Sequence, residues 1–147
     1  MKYATILIVA LFLSNCDGTK KTQERDPDAS FNIIHQAAYG GKDSESFDII
    51  KSKQALFEQI KLVGLESQFA QKLNDIDFNV KTVLVLHAGS YNTGGYSIGV
   101  SNVEVNGTTS YVTVEETSPE PGEPVTMALT NPYCIAVIDS NETIVFK

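Results

Sequence analysis

The chain contains no tryptophan and only two histidines, two cysteines and two methionines in 147 residues. A module that stacks wide aromatic rings on sugars is poorly served by such a composition. A zinc centre needs three or four clustered ligands, and two separated histidines with a spare cysteine do not supply them. The acidic side chains are scattered and lack the spacing of a calcium loop. Basic residues are also scarce: 11 Lys and Arg face 18 Asp and Glu, for a net charge of −7. The electropositive footprint of a nucleic-acid binder is therefore missing, and so is attraction to anionic lipid. The longest apolar run, residues 3–13 ("YATILIVALFL"), would span roughly 16 Å as a helix, about half of a ~30 Å hydrocarbon core.

A run that short, preceded by Lys2, has the form of a signal-peptide h-region. "LSNC" at residues 13–16 follows it and resembles the bacterial lipobox, in which a lipid is joined to the cysteine sulfur and cleavage falls just before it. Leu13 and Ser14 match that pattern; Asn15 departs from the small residue usual before the cysteine. The expectation is a signal peptide over 1–15, a lipidated Cys16, and a flexible polar tether over 16–30, followed by one folded domain over 31–147. Multiple acyl chains on one cysteine would hold the domain firmly on a membrane. The expected location is the bacterial cell envelope, with the leaflet undetermined. If Cys16 carries lipid, Cys134 is left alone in "YCIAVI" and reads as a buried structural thiol.

Beyond the tether, residues 31–39 alternate as a strand with Phe31, Ile33, His35, Ala37 and Tyr39 on one face. Gly40-Gly41 punctuates it, and residues 47–51 can pair back on it as a second strand. Ser52 is an N-cap candidate for a helix over 52–63, ended by Gly64. Leu65, Phe69 and Leu73 suggest a second short helix. Residues 82–88 and 133–138 are apolar on both faces, the mark of strands covered on two sides. The apolar phase slips between Val100 and Val103, which predicts a β-bulge near Ser101-Asn102. Asn106-Gly107 predicts a tight hairpin with both residues at positive φ, and Val125, Met127 and Leu129 alternate as a further strand. No internal repeat is present. The fold class expected is α+β: a mainly antiparallel β sandwich or open barrel with one or two short helices.

The glycine-rich stretch "HAGSYNTGGYSIGV" at residues 87–100 raises the question of chemistry. A phosphate loop would need a Lys-Ser/Thr pair and a helix after its glycines, and here an alternating strand pattern follows. A nucleophile elbow would need Gly-x-Ser-x-Gly, which neither Ser90 nor Ser97 satisfies. His87 reads as a half-buried strand residue. What remains is a structural turn, with Gly89 ending one buried strand and Gly94-Gly95 admitting the chain to the next. Tyr91, Asn92, Thr93, Gly94, Gly95 and Tyr96 then form a loop on rigid strands, a suitable place for a partner to bind. Gly89 and Gly107 are expected to be purely structural. The residues make no case for an enzyme, a cofactor or a metal.

Residues 76–100, "IDFNVKTVLVLHAGSYNTGGYSIGV", resemble the core motif of the PrcB C-terminal domain family. The shared features are Asp77-Phe78, an apolar strand, Gly89, a short loop and Thr93-Gly94-Gly95-Tyr96. "TNPYCIAVI" at 130–138 resembles the family's closing Pro-Tyr and strand, and "FNIIHQAAYGG" and "SKQALFEQI" resemble its opening strand and helix. The family takes its name from a lipoprotein subunit of a protease complex. The resemblance implies an accessory role for an exported, lipid-anchored protein whose partner is another exported protein, a protease being the candidate. It assigns no catalytic residues. Two other readings stay open at this point: a glycan or envelope-ligand binding module, and a hydrolase using His87.

Overall fold

A computed structural model describes residues 30–69 and 72–147. The expected signal peptide, Cys16 and the expected tether up to residue 29 lie outside the described residues. Among the described residues seven strands form: β1 (Phe31–Ala37), β2 (Glu45–Ile50), β3 (Thr82–Ala88), β4 (Ser97–Asn106), β5 (Thr109–Thr117), β6 (Tyr133–Ile138) and β7 (Thr143–Phe146). Helix α1 (Lys53–Leu62) and the one-turn α2 (Glu66–Phe69) fall between β2 and β3, with a 3-10 turn at Lys72–Asp75. The second helix is thus realised as two single turns. Four strands make an antiparallel sheet in the order β1-β6-β3-β2, and three make a second sheet in the order β4-β5-β7, its β5–β7 pair parallel. The α+β expectation holds, as a sandwich and not a closed barrel.

The two-sided apolar strands have their cause in three stacked layers. Val83, Val85, Tyr133, Ile135 and Val137 pack with Leu56, Ile60, Leu65 and Phe69 of the helical layer. The alternate residues of β3 and β6, Leu84, Leu86, Cys134, Ala136 and Ile138, pack with Ile98, Val100, Val103 and Val112 of the smaller sheet. Every residue of β3 and β6 is buried, as in a strand covered on both faces, and β3 takes the polar Thr82 and His87 inside with its apolar residues.

Local signals account for most boundaries. Ser52, in extended conformation, accepts from the Ala55 amide at 3.2 Å and starts α1. Bonds from Gly64 N–H to Lys61 O (3.2 Å) and Leu65 N–H to Ile60 O (3.0 Å) close its far end as a Schellman cap. The register of β4 on β5 shifts between Val100 and Asn102, where the phase slip placed a bulge.

Five expectations are corrected. A second bulge, between Ile33 and His35 in β1, puts Ile33 opposite Ala136 but His35 opposite Ile135, so the odd-numbered residues do not share one face. Strand β2 pairs with β3, not with β1. The β4–β5 loop is Gly107-Thr108, because Asn106 pairs with Thr109; Gly107 alone has positive φ (+62°), as a type II′ turn requires. Residues 125–129 form no strand. The fifth is His87, which is 1 % exposed and not half-buried.

Candidate functional site

The chain leaves β3 at Ala88 in one sheet and enters β4 at Ser97 in the other, so residues 89–96 are a crossover between layers and not a hairpin. Its course is fixed by backbone bonds to the segment that precedes β6. Tyr91 and Thr130 exchange two amide bonds of 2.9 Å, Gly94 N–H donates to Thr126 O at 2.9 Å, and Thr130 Oγ1 donates to Thr93 O at 2.8 Å. A polar knot closes one side. Asp43 Oδ1 accepts from Ser90 Oγ (3.1 Å) and Asn131 Nδ2 (3.0 Å), and Asn131 Nδ2 also lies 2.7 Å from Ser90 Oγ.

The two loop glycines answer different needs. Gly95 has φ +93°, a region that L side chains rarely adopt, and a Cβ there would sit 2.8 Å from Pro119 Cγ. Gly94 has no positive φ; it is buried, and a Cβ would overlap the Thr126 hydroxyl. Gly89, buried at φ +86°, lies against the Glu45 backbone.

With the backbone so held, Tyr91 and Tyr96 stack on each other, ring centroids 3.9 Å apart and planes 10° from parallel. Both are partly exposed, as is Thr93, while Asn92 and Gly95 are exposed. Stacking of this kind contributes about 0.5–1.5 kcal/mol beyond area burial. Burial, then the Glu116 and Glu45 carboxylates, push the Tyr91 phenol up. The expected loop residues are therefore gathered in one place, as a stiff aromatic corner. Sequence reasoning missed its neighbour: Met127 and Leu129, read as strand residues, are 89 % and 61 % exposed between the pinned Thr126 and Thr130.

His87 lies inside the layer between sheet and helices. Its Nδ1 accepts the Lys42 amide at 3.1 Å, its ring stacks on Tyr133 with centroids 6.0 Å apart, and Nε2 is buried without a hydrogen-bond partner. Such a ring is not presented to a substrate. Desolvation first, then the Lys42 charge, lower its pKa, against an opposing effect of Asp48. Burial also lowers His35, which packs against Phe69 and Tyr133. Cys134 is fully buried, and desolvation pushes its thiol up to about 11, so it is an unreactive packing residue.

These histidines predict an acid dependence. A folded pKa below the unfolded value favours the neutral form, so the stabilisation is fully present above about pH 6.5 and is lost as pH falls toward the lowered native value. Each pH unit of that window costs up to ~1.4 kcal/mol for His87. Urea midpoints should be lower at pH 5.5 than at pH 7.5, with part of the drop removed by His87→Gln. Equal midpoints for the unmodified chain would contradict the burial.

A groove of about 370 Å³ lies at the opposite end of the large sheet, lined by Ile34, Ile76 and Val137 with Lys72 and Asp139. Among the described residues, no three His, Cys, Asp or Glu side chains group as metal ligands. No helix among them is long and apolar enough to cross a membrane.

Residues 82–139 match the family model described as PrcB C-terminal. The match begins with β3, contains the whole aromatic corner and ends just after β6. Strands β1 and β2 and helix α1 lie outside it. No curated protein and no solved structure matched the chain.

Proposed function

Because the chain is PrcB-like over residues 82–139, we propose that it is an accessory subunit of an exported protease complex, held to the cell envelope by lipid at Cys16. The domain binds its partner through the aromatic corner at residues 91–96 and performs no chemistry of its own. One observation carries this reading: the stacked Tyr91–Tyr96 pair is partly exposed on a loop whose backbone is pinned on both sides. Rigid aromatic side chains on a fixed scaffold lose little conformational entropy on binding, which makes them effective anchors. The "LSNC" sequence supports the lipid attachment, and the short apolar run before it supports export.

The hydrolase reading has little to stand on, since the imidazole of His87 is enclosed and its Nδ1 already engaged. The glycan reading lacks an open aromatic platform at this corner, because the two tyrosine faces are spent on each other.

Pull-down from detergent-solubilised membranes tests the proposal. The unmodified lipoprotein should retain an exported protein, and Tyr96→Ala should reduce that protein by about tenfold. Gly95→Val, which disturbs the backbone under the same corner, should do likewise. Unchanged retention by both variants, each with a folded circular-dichroism spectrum, would remove the loop from the interface.

A further inference from the structure

The charges of this domain are unevenly placed along the chain. Residues 82–146 contain no lysine or arginine, yet carry Glu104, Glu115, Glu116, Glu120, Glu123, Asp139 and Glu142. Lys147 and Lys81 offset two of these, pairing at 2.9 Å with Glu104 and Asp139. The carboxylates at 115, 116, 120 and 123 are exposed and have no cation from their own segment of chain. They lie beside the aromatic corner: Glu116 is opposite Ile98 and Glu115 opposite Gly99, at the start of the strand that Tyr96 leads into. Pro119, between them and Glu120, touches the position of Gly95.

Two apolar side chains are presented close by. The segment 126–130 is tied at Thr126 to Gly94 and at Thr130 to Tyr91, and between these ties it exposes Met127 and Leu129. An exposed methionine on a loose tail would mean little. Here it stands on a short span fixed at both ends, so it does not fold back to hide itself.

Resting on the accessory-subunit reading, we propose that this pole binds an extended, cationic polypeptide segment of the partner. Apolar side chains of that segment cover Met127 and Leu129, and its lysines or arginines meet Glu115, Glu116, Glu120 and Glu123. Charge complementarity selects the occupant. Anionic lipid and nucleic acid are repelled by the same carboxylates, whereas a basic segment is steered toward them and fixed in register. The apolar contacts supply affinity, and the carboxylates supply rate and choice of partner.

The probe is a fluorescent synthetic peptide of about twelve residues alternating Lys and Leu, a length suited to an extended docking mode. It should bind the protein about tenfold more tightly than Glu/Leu or Lys/Ser peptides of the same length, and raising salt from about 50 to about 500 mM should weaken it severalfold. A Met127→Ser, Leu129→Ser double variant should lose about tenfold in affinity with no change in thermal midpoint, since both side chains are exposed. Equal binding of the Glu/Leu peptide, or full binding by the double variant, would overturn the proposal. A concentration-dependent dimer abolished by the double variant would also overturn it, by assigning the pole to a second copy of this chain. Retention of an exported protein in the pull-down without binding of the Lys/Leu peptide would leave the accessory role standing and sink only this inference. Peptide binding with no retained protein would do the reverse.

Discussion

Replacing Leu86 with alanine is expected to lower the unfolding free energy by about 3–4 kcal/mol. Leu86 is 0 % exposed, on the face of β3 that meets the smaller sheet. Its neighbours there, Ile98, Val103, Val112 and Cys134, belong to strands fixed by pairing in both sheets, so the void does not collapse when the isobutyl group is removed. For a domain of this size the loss corresponds to a fall of about 10–15 °C in thermal midpoint. Scanning calorimetry on both proteins decides it; a fall below about 4 °C would mean the layers close up and are less rigid than their pairing implies. Leu56→Ala, on the helical side of the large sheet, provides the comparison, because that layer rests on only three short helical pieces and has more room to settle.

Gly41→Val should be about as damaging, through a different cause. A Cβ at Gly41 would stand 2.6 Å from the backbone oxygen of Asn131, and 3.1 Å from both His87 Nδ1 and Pro132 O. Two of the three obstacles are main-chain atoms, which cannot turn aside as a side-chain tip can. Relief requires moving the 38–43 loop outward, which breaks the Gly41 N–H to Asn131 O bond (2.9 Å) and the Lys42 N–H to His87 Nδ1 bond (3.1 Å). Two lost hydrogen bonds and the steric displacement together amount to about 3–5 kcal/mol. Gly107→Ala serves as the control. That glycine has positive φ but nothing within 4 Å of a built Cβ, so only the backbone penalty of about 1–2 kcal/mol applies. Urea melts of the two variants should differ accordingly. Similar midpoints would show that the crowding at Gly41 is easily relieved.

How much of this was legible in the sequence depends on whether each signal was local. Ser52 and Gly64 bracket α1 because capping needs only neighbouring residues. The β4 bulge could be read because its apolar phase changes parity between Val100 and Val103. The β1 bulge could not, since Ile33 and Ile34 are both apolar and either parity looks acceptable. Pairing of β2 with β3 was hidden as well: "FDIIK" is compatible with any antiparallel neighbour, and layer packing makes the choice. Met127 and Leu129 show that alternation is insufficient where ladder partners are missing. The loop at residues 91–96 could be read as one unit, with glycines serving its turn, but nothing in "YNTGGY" says that the tyrosines face each other. The double burial of β3 and β6 was plain, and the family match follows those strands.

The position of β1 has a kinetic consequence. Phe31 pairs with Ile138, far along the chain, and among the described residues β6 is the strand that joins β1 to the large sheet. Until β6 has been added, the first strand has no ladder partner and β3 lacks one flank. Completion of the large sheet must therefore wait for β6, and folding is expected to take milliseconds to seconds because the loop to be closed is so long. A chain interrupted on its way out would expose bare strand edges to its neighbours.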